Sequence, residues 1–78
     1  MTDMAELVKM LRDRQGEMSI EEFANKMNLR GATLFRYYSG ERKISLPSVR
    51  KMADYFDRLD DSEMIQALAS YSLGKNLP

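Results

Sequence analysis

The chain has 78 residues, 44% of them hydrophobic, with 12 basic and 12 acidic side chains, no cysteine and no histidine, which bounds it to one domain over residues 1–78 with a small core. Lack of cysteine excludes a disulfide framework; lack of histidine as well excludes zinc fingers and most metal and nucleophile–base sites. No apolar run approaches the ~20 residues of a membrane span, and residues 1–13 carry Asp3 and Glu6 without the charge order of a secretory signal, so a cytoplasmic protein is expected, although a cysteine-free chain is permitted anywhere.

Five helices and no strand are predicted, because no alternating apolar run bounded by turns occurs. The first covers about residues 3–15. Met4, Leu7, Val8 and Leu11 fall on one face, Asp3 is placed to cap with Glu6 three residues on, and Gly16 stops it. The second starts at Ser19, with Glu22 completing a capping box, Met18 and Phe23 placed as a hydrophobic staple, and Ile20, Phe23, Ala24 and Met27 apolar. The third covers roughly residues 31–39 and ends at Gly40, with Leu34 and Tyr37 facing inward. Ser45 caps the fourth, Pro47 is tolerated in its first turn, and Val49, Met52, Ala53 and Phe56 form its buried stripe. The fifth, about residues 60–73, starts near Asp60 or Asp61, uses Met64, Ile65, Leu68 and Leu73 as its apolar side and ends at Gly74, leaving residues 75–78 as a short frayed tail. Seven methionines fall mostly at helical core spacing and are expected to fill the core, a soft partner surface being the other reading.

The formal net charge of zero hides an asymmetry: residues 1–29 sum to −2, residues 30–51 to +5 and residues 52–78 to −3. In the middle segment Arg30, Arg36, Arg42, Lys43, Arg50 and Lys51 stand against Glu41 alone. This distribution suits one anion-facing surface, against the plainer reading of a solvated charged face.

Four pieces follow one another in order: Ser19-Ile20-Glu21-Glu22-Phe23-Ala24, then Asn28-Leu29-Arg30, then Leu34-Phe35-Arg36-Tyr37-Tyr38-Ser39-Gly40, then residues 43–53, KISLPSVRKMA. In order and spacing they resemble the lambda-repressor/Cro-like (XRE-type) helix-turn-helix family over about residues 11–56, and residues 60–65 resemble the start of its fifth helix. The resemblance implies an all-α fold: a compact five-helix, lambda-repressor-like DNA-binding domain with its helix-turn-helix at helices two and three. Ala24 matches the small residue that the crossing recognition helix needs, and Leu29 the apolar plug. Asn28 tolerates the left-handed conformation such a turn requires. Ile20 stands where the family commonly has glutamine.

By that resemblance the base-facing positions are Gly31, Ala32, Thr33, Phe35 and Arg36. Arg36 is suited to grip guanine through two bonds, Ala32 to pack on a thymine methyl and Thr33 to bond a base or a phosphate; Gly31 only permits close approach. Phosphates are expected at the backbone amides near Ser19 and Ile20, at Arg42 and Lys43, and more weakly at Arg50. Arg30 stands where a Ser or Thr cap is expected; a cation at that helix end is unfavourable by roughly 0.3–1 kcal/mol unless compensated. A phosphate would compensate it, and the other reading is a surface arginine turned into water. Phe35 and Tyr38 would stack on DNA or pack in a dimer, with core packing equally open for Tyr38.

The implied function is a sequence-specific, double-stranded-DNA-binding transcriptional regulator, a Cro-like repressor bound as a homodimer to a near-palindromic operator, its recognition helices about 34 Å apart. Met64, Leu68, Tyr71 and Leu73 are the dimer-face candidates, against the reading that the fifth helix only closes the core. The alternative is a protein-interaction module on the same fold, antitoxin-like or an adaptor. No cofactor, metal, small-molecule ligand or membrane is expected. No enzyme is expected either: the adjacent carboxylates Glu21–Glu22 and Asp60–Asp61 point in different directions and no nucleophile–base pair accompanies them.

Overall fold

The computed structural model describes residues 2–76, the last two by their backbone only. Five helices follow one another: α1 (Met4–Gln15), α2 (Ile20–Lys26), α3 (Gly31–Ser39), α4 (Leu46–Arg58) and α5 (Ser62–Asn76). Four start on a side-chain cap that satisfies an orphan backbone donor. The Glu6 N–H donates to Asp3 Oδ1 at 2.8 Å, Glu22 N–H to Ser19 Oγ at 3.0 Å, Ser48 N–H to Ser45 Oγ at 3.3 Å and Met64 N–H to Asp61 Oδ1 at 3.1 Å. α3 differs: Arg30 is its N-cap residue and makes no side-chain cap bond.

One hydrophobic cluster draws on every helix, through Leu7 and Leu11 of α1, Phe23 and Ala24 of α2, Leu34 and Tyr37 of α3, Val49, Met52 and Phe56 of α4, and Met64, Ala67, Leu68 and Tyr71 of α5. Its centre is aromatic: Phe23 meets Tyr55 and Phe56 edge-on at 6.2 and 6.4 Å between centroids, pairings that add about 0.5–1.5 kcal/mol beyond area burial. Met27, Met52 and Met64 are buried, and Met4, Met10 and Met18 pack against the cluster, so the described methionines belong to the core. The most extensive pairings are α4 with α5 and α2 with α3, followed by α1 with α5. Among the described residues no helix is long and apolar enough to cross a membrane.

α5 departs from the sequence expectation. It begins at Ser62, capped by Asp61, and continues through Gly74 to Asn76, because one glycine costs a helix only about 1 kcal/mol. Residues 75 and 76 are therefore helical rather than tail, and residues 77 and 78 lie outside the described residues. Its inner stripe is Met64, Ala67, Leu68 and Tyr71, whereas Leu73 is 68% exposed. Of the four dimer-face candidates, Met64, Leu68 and Tyr71 are buried in this chain's own core. The Tyr71 hydroxyl is also spent internally, donating to the Ile44 carbonyl at 3.0 Å.

An ionic clasp closes α1 on α5. Arg14 donates through Nε to Asp61 Oδ2 at 3.1 Å and also bonds Glu63, while Asp61 caps α5. The bonds from Arg14, outweighing burial, hold the Asp61 carboxyl below its ordinary 3.8. A carboxyl whose folded pKa is depressed contributes stability above its unfolded value and loses it as pH falls through the folded one. Arg14→Ala is expected to cost about 1–2 kcal/mol at pH 7, between an exposed and a buried pair. Urea denaturation should show that gap narrowing once the pH falls below 3.8.

Candidate nucleic-acid interface

The geometry of α3 is set by how little separates it from α2. Ala24 is fully buried beneath the crossing, and Leu29 is buried as the plug between the two helices. The chain turns at Asn28, whose φ of 59° is left-handed, a conformation asparagine tolerates better than most residues. The Leu29 N–H then donates to the Ala24 carbonyl at 2.8 Å. At Gly31 a Cβ would lie 3.2 Å from Glu21 Cα and 3.3 Å from Glu21 Cγ. The close approach that Gly31 permits is therefore an approach of α3 to α2.

With Leu34 and Tyr37 turned inward, two hollows flank α3. The first is an open groove of about 670 Å³ that brings together Ser19 and Ile20 at the start of α2 with Gly31, Ala32, Phe35 and Arg36. Phe35 is 59% exposed there. Ile20 is half-buried and packs partly on the core. Glu21 and Glu41 also line this groove, and Glu41 Oε2 lies 3.2 Å from Arg36 Nε. Arg36 is half-exposed and points outward. Glu41 was absent from the expected site; the available signal was its position as the lone acid in residues 30–51.

The second hollow, about 500 Å³, gathers Asn25, Asn28, Arg30, Thr33, Arg42 and Lys51 around a floor that includes Tyr37, Ser45 and Ser48. Thr33 is thereby separated from the other base-facing candidates and sits with Arg30 and Arg42. On the floor, the Tyr37 hydroxyl lies 2.7 Å from Ser48 Oγ. Burial pushes the Tyr37 phenol up, but its bonds with Ser45 and Ser48 and the Arg42 charge outweigh that and hold it below the ordinary value. Lys43 and Arg50 are exposed and line neither hollow.

Tyr38 is an internal brace. Its hydroxyl donates to Gln15 Oε1 at 2.8 Å, and the Gln15 amide donates on to the Met18 carbonyl at 2.8 Å. The Arg12 guanidinium lies 4.5 Å above its ring. Burial pushes the phenol up to about 12, opposed by the Arg12 charge. The end of α1, the α1–α2 turn and α3 are thus bolted together.

Among the described residues no group of three acidic, histidine or cysteine side chains is placed to hold a metal ion. A family model described as helix-turn-helix matches residues 8–64, from within α1 to the first turn of α5. Comparison with curated proteins and with solved structures gave no match.

The α2–α3 spacing is testable by stability. Gly31→Val carries branches past the position where a Cβ already presses on Glu21, and overpacking of this kind costs about 1–3 kcal/mol. Urea denaturation is expected to show that loss; a variant as stable as the parent would mean that the crossing is looser than described.

Proposed function

This chain belongs to the Cro/C1-type helix-turn-helix family of DNA-binding regulators, and from that premise we propose that α3 lies in the major groove of double-stranded DNA and selects sequence there, the chain acting as a small Cro-like repressor in the cytoplasm. The observation that carries this reading is the first groove. A helix that opens with Gly31, Ala32 and Thr33 has a slim leading end, and its outward Phe35 and Arg36 share one open surface with the start of α2. Arg36 is assigned to guanine, through paired bonds to O6 and N7, and Ala32 and Phe35 to apolar contact with thymine methyls. The amides near Ser19 and Ile20 are assigned to phosphates of one strand. Arg30, Arg42 and Thr33 are assigned to phosphates beside the opposite flank of α3, with exposed Lys43 assisting and Arg50 the weakest of the set. The +5 charge of residues 30–51 supplies the attraction, though the chain as a whole is neutral.

A unit of this size gains affinity and register by pairing, so a homodimer on a near-palindrome is part of the proposal, with half-sites about 34 Å apart. Of the four residues considered for its interface, Leu73 is the one with surface to offer. A second reading, a protein-interaction module, is favoured by Phe35 standing exposed in the groove and by Arg36 being engaged with Glu41.

Selection from a random duplex pool, followed by binding at two salt concentrations, separates the readings. The DNA reading expects one enriched motif and affinity that falls as salt rises. Arg36→Ala is expected to weaken binding to that motif by about 1–3 kcal/mol, roughly tenfold or more, and to relax choice at one base pair. Failure of any duplex to bind at low salt would leave the interaction module. Sedimentation with the selected duplex should give two chains per site.

A further inference from the structure

The second hollow contains a combination that the base-facing groove lacks. Arg30 enters it from the turn before α3, Arg42 from the α3–α4 loop and Lys51 from α4. Three cations from three parts of the chain converge, and no acidic side chain lines the walls. Among the described residues none of the three makes an ion pair, whereas Arg14 and Arg36 are both paired. The side chains of Asn25 and Asn28 add amides to the same walls. Convergent like charges with hydrogen-bond donors and no counter-charge form a complement to an anion with several acceptor oxygens. The hollow also borders the uncapped amino end of α3, where the helix dipole adds to the same field.

We propose that this hollow is a phosphate seat, with Lys51, Asn25 and Asn28 completing a site begun by Arg30 and Arg42, and that in the DNA complex its occupant is a backbone phosphodiester alongside α3. The assignment rests on the reading that α3 enters the major groove. It adds a discrimination between neighbours in sequence. Lys51 lies three residues after Ser48, on the helical face that lines the hollow, whereas Arg50 points elsewhere. The two cations, one residue apart on α4, therefore contribute unequally.

The experiment compares Lys51→Ala with Arg50→Ala on the selected duplex across a range of salt. Both side chains are exposed, and circular dichroism confirms that each variant folds. Loss of one phosphate contact lowers the slope of log affinity against log salt by about 1 and weakens all sequences alike. Lys51→Ala is expected to show that change with base preference intact, and Arg50→Ala, the weakest phosphate contact of the set, to lower the slope by less than Lys51→Ala does. Equal slopes for Lys51→Ala and the parent, while Arg36→Ala still relaxes sequence choice, would overturn the seat and leave the DNA reading standing. A second arm titrates inorganic phosphate against the parent and Lys51→Ala, following the side-chain amide signals of Asn25 and Asn28 by NMR. Signals that move in the parent and not in Lys51→Ala support the seat. If they do so while no duplex binds, the occupant is free phosphate and the backbone assignment is overturned; if neither arm responds, both fall.

Discussion

The narrow gap between Glu21 and Gly31 governs what the rest of the surface can do. A single added carbon at residue 31 would press on the α2 backbone at 3.2 Å, and buried Ala24 keeps the space beneath equally thin. Two helices that approach this closely fix each other's orientation, because packed interiors resist even one methylene of extra volume. The start of α2 and the outward side of α3 consequently share one groove. The left-handed Asn28 lets the chain reverse in so few residues, and the Tyr38–Gln15–Met18 relay pins the far side of α3 to α1 and the turn.

Around α3 the charges are sorted rather than mixed. One flank gathers Arg30, Arg42 and Lys51 with no acid, while the other carries Glu21 and Glu41 beside Arg36. The Arg36–Glu41 pair is well exposed, and exposed pairs add little to stability. Its effect is to give the guanidinium a resting direction and to make any incoming acceptor compete with a carboxylate. Among the described residues α3 is also the one helix whose amino end has no side-chain cap, so its leading donors remain available. A stabilising Ser or Thr is replaced there by Arg30, an arrangement that weakens the isolated helix and strengthens the field in front of it.

Much of this fold is written in short-range signals. Asp3, Ser19 and Ser45 mark the starts of α1, α2 and α4 because a cap acts within three residues, and Gly40 ends α3 for an equally local reason, its φ of 78°. What escaped the sequence depends on distant partners. In the sequence Tyr71 is a dimer-face candidate, and only the fold shows the Ile44 carbonyl, 27 residues away, accepting its hydroxyl. Leu73 reads as part of the α5 stripe until Ala67 and Tyr71 are seen to complete it instead. Gly74 reads as a stop because a glycine's modest cost inside a helix cannot be weighed without knowing what the helix packs against. At the site, Arg36 and its small neighbours follow from the motif, whereas the placing of Lys51 and not Arg50 on the wall of the second hollow is a matter of helical phase.

The bond between Tyr71 and Ile44 has a consequence for the molecule as a machine. Ile44 sits in the segment joining α3 to α4, two residues beyond Arg42, and it is fully buried. The last helix therefore acts as a clamp on the loop that carries the cations, although it lies remote from them in the chain. Any tilt of α5 would pull on the Ile44 carbonyl and so on the backbone that carries Arg42, two residues earlier.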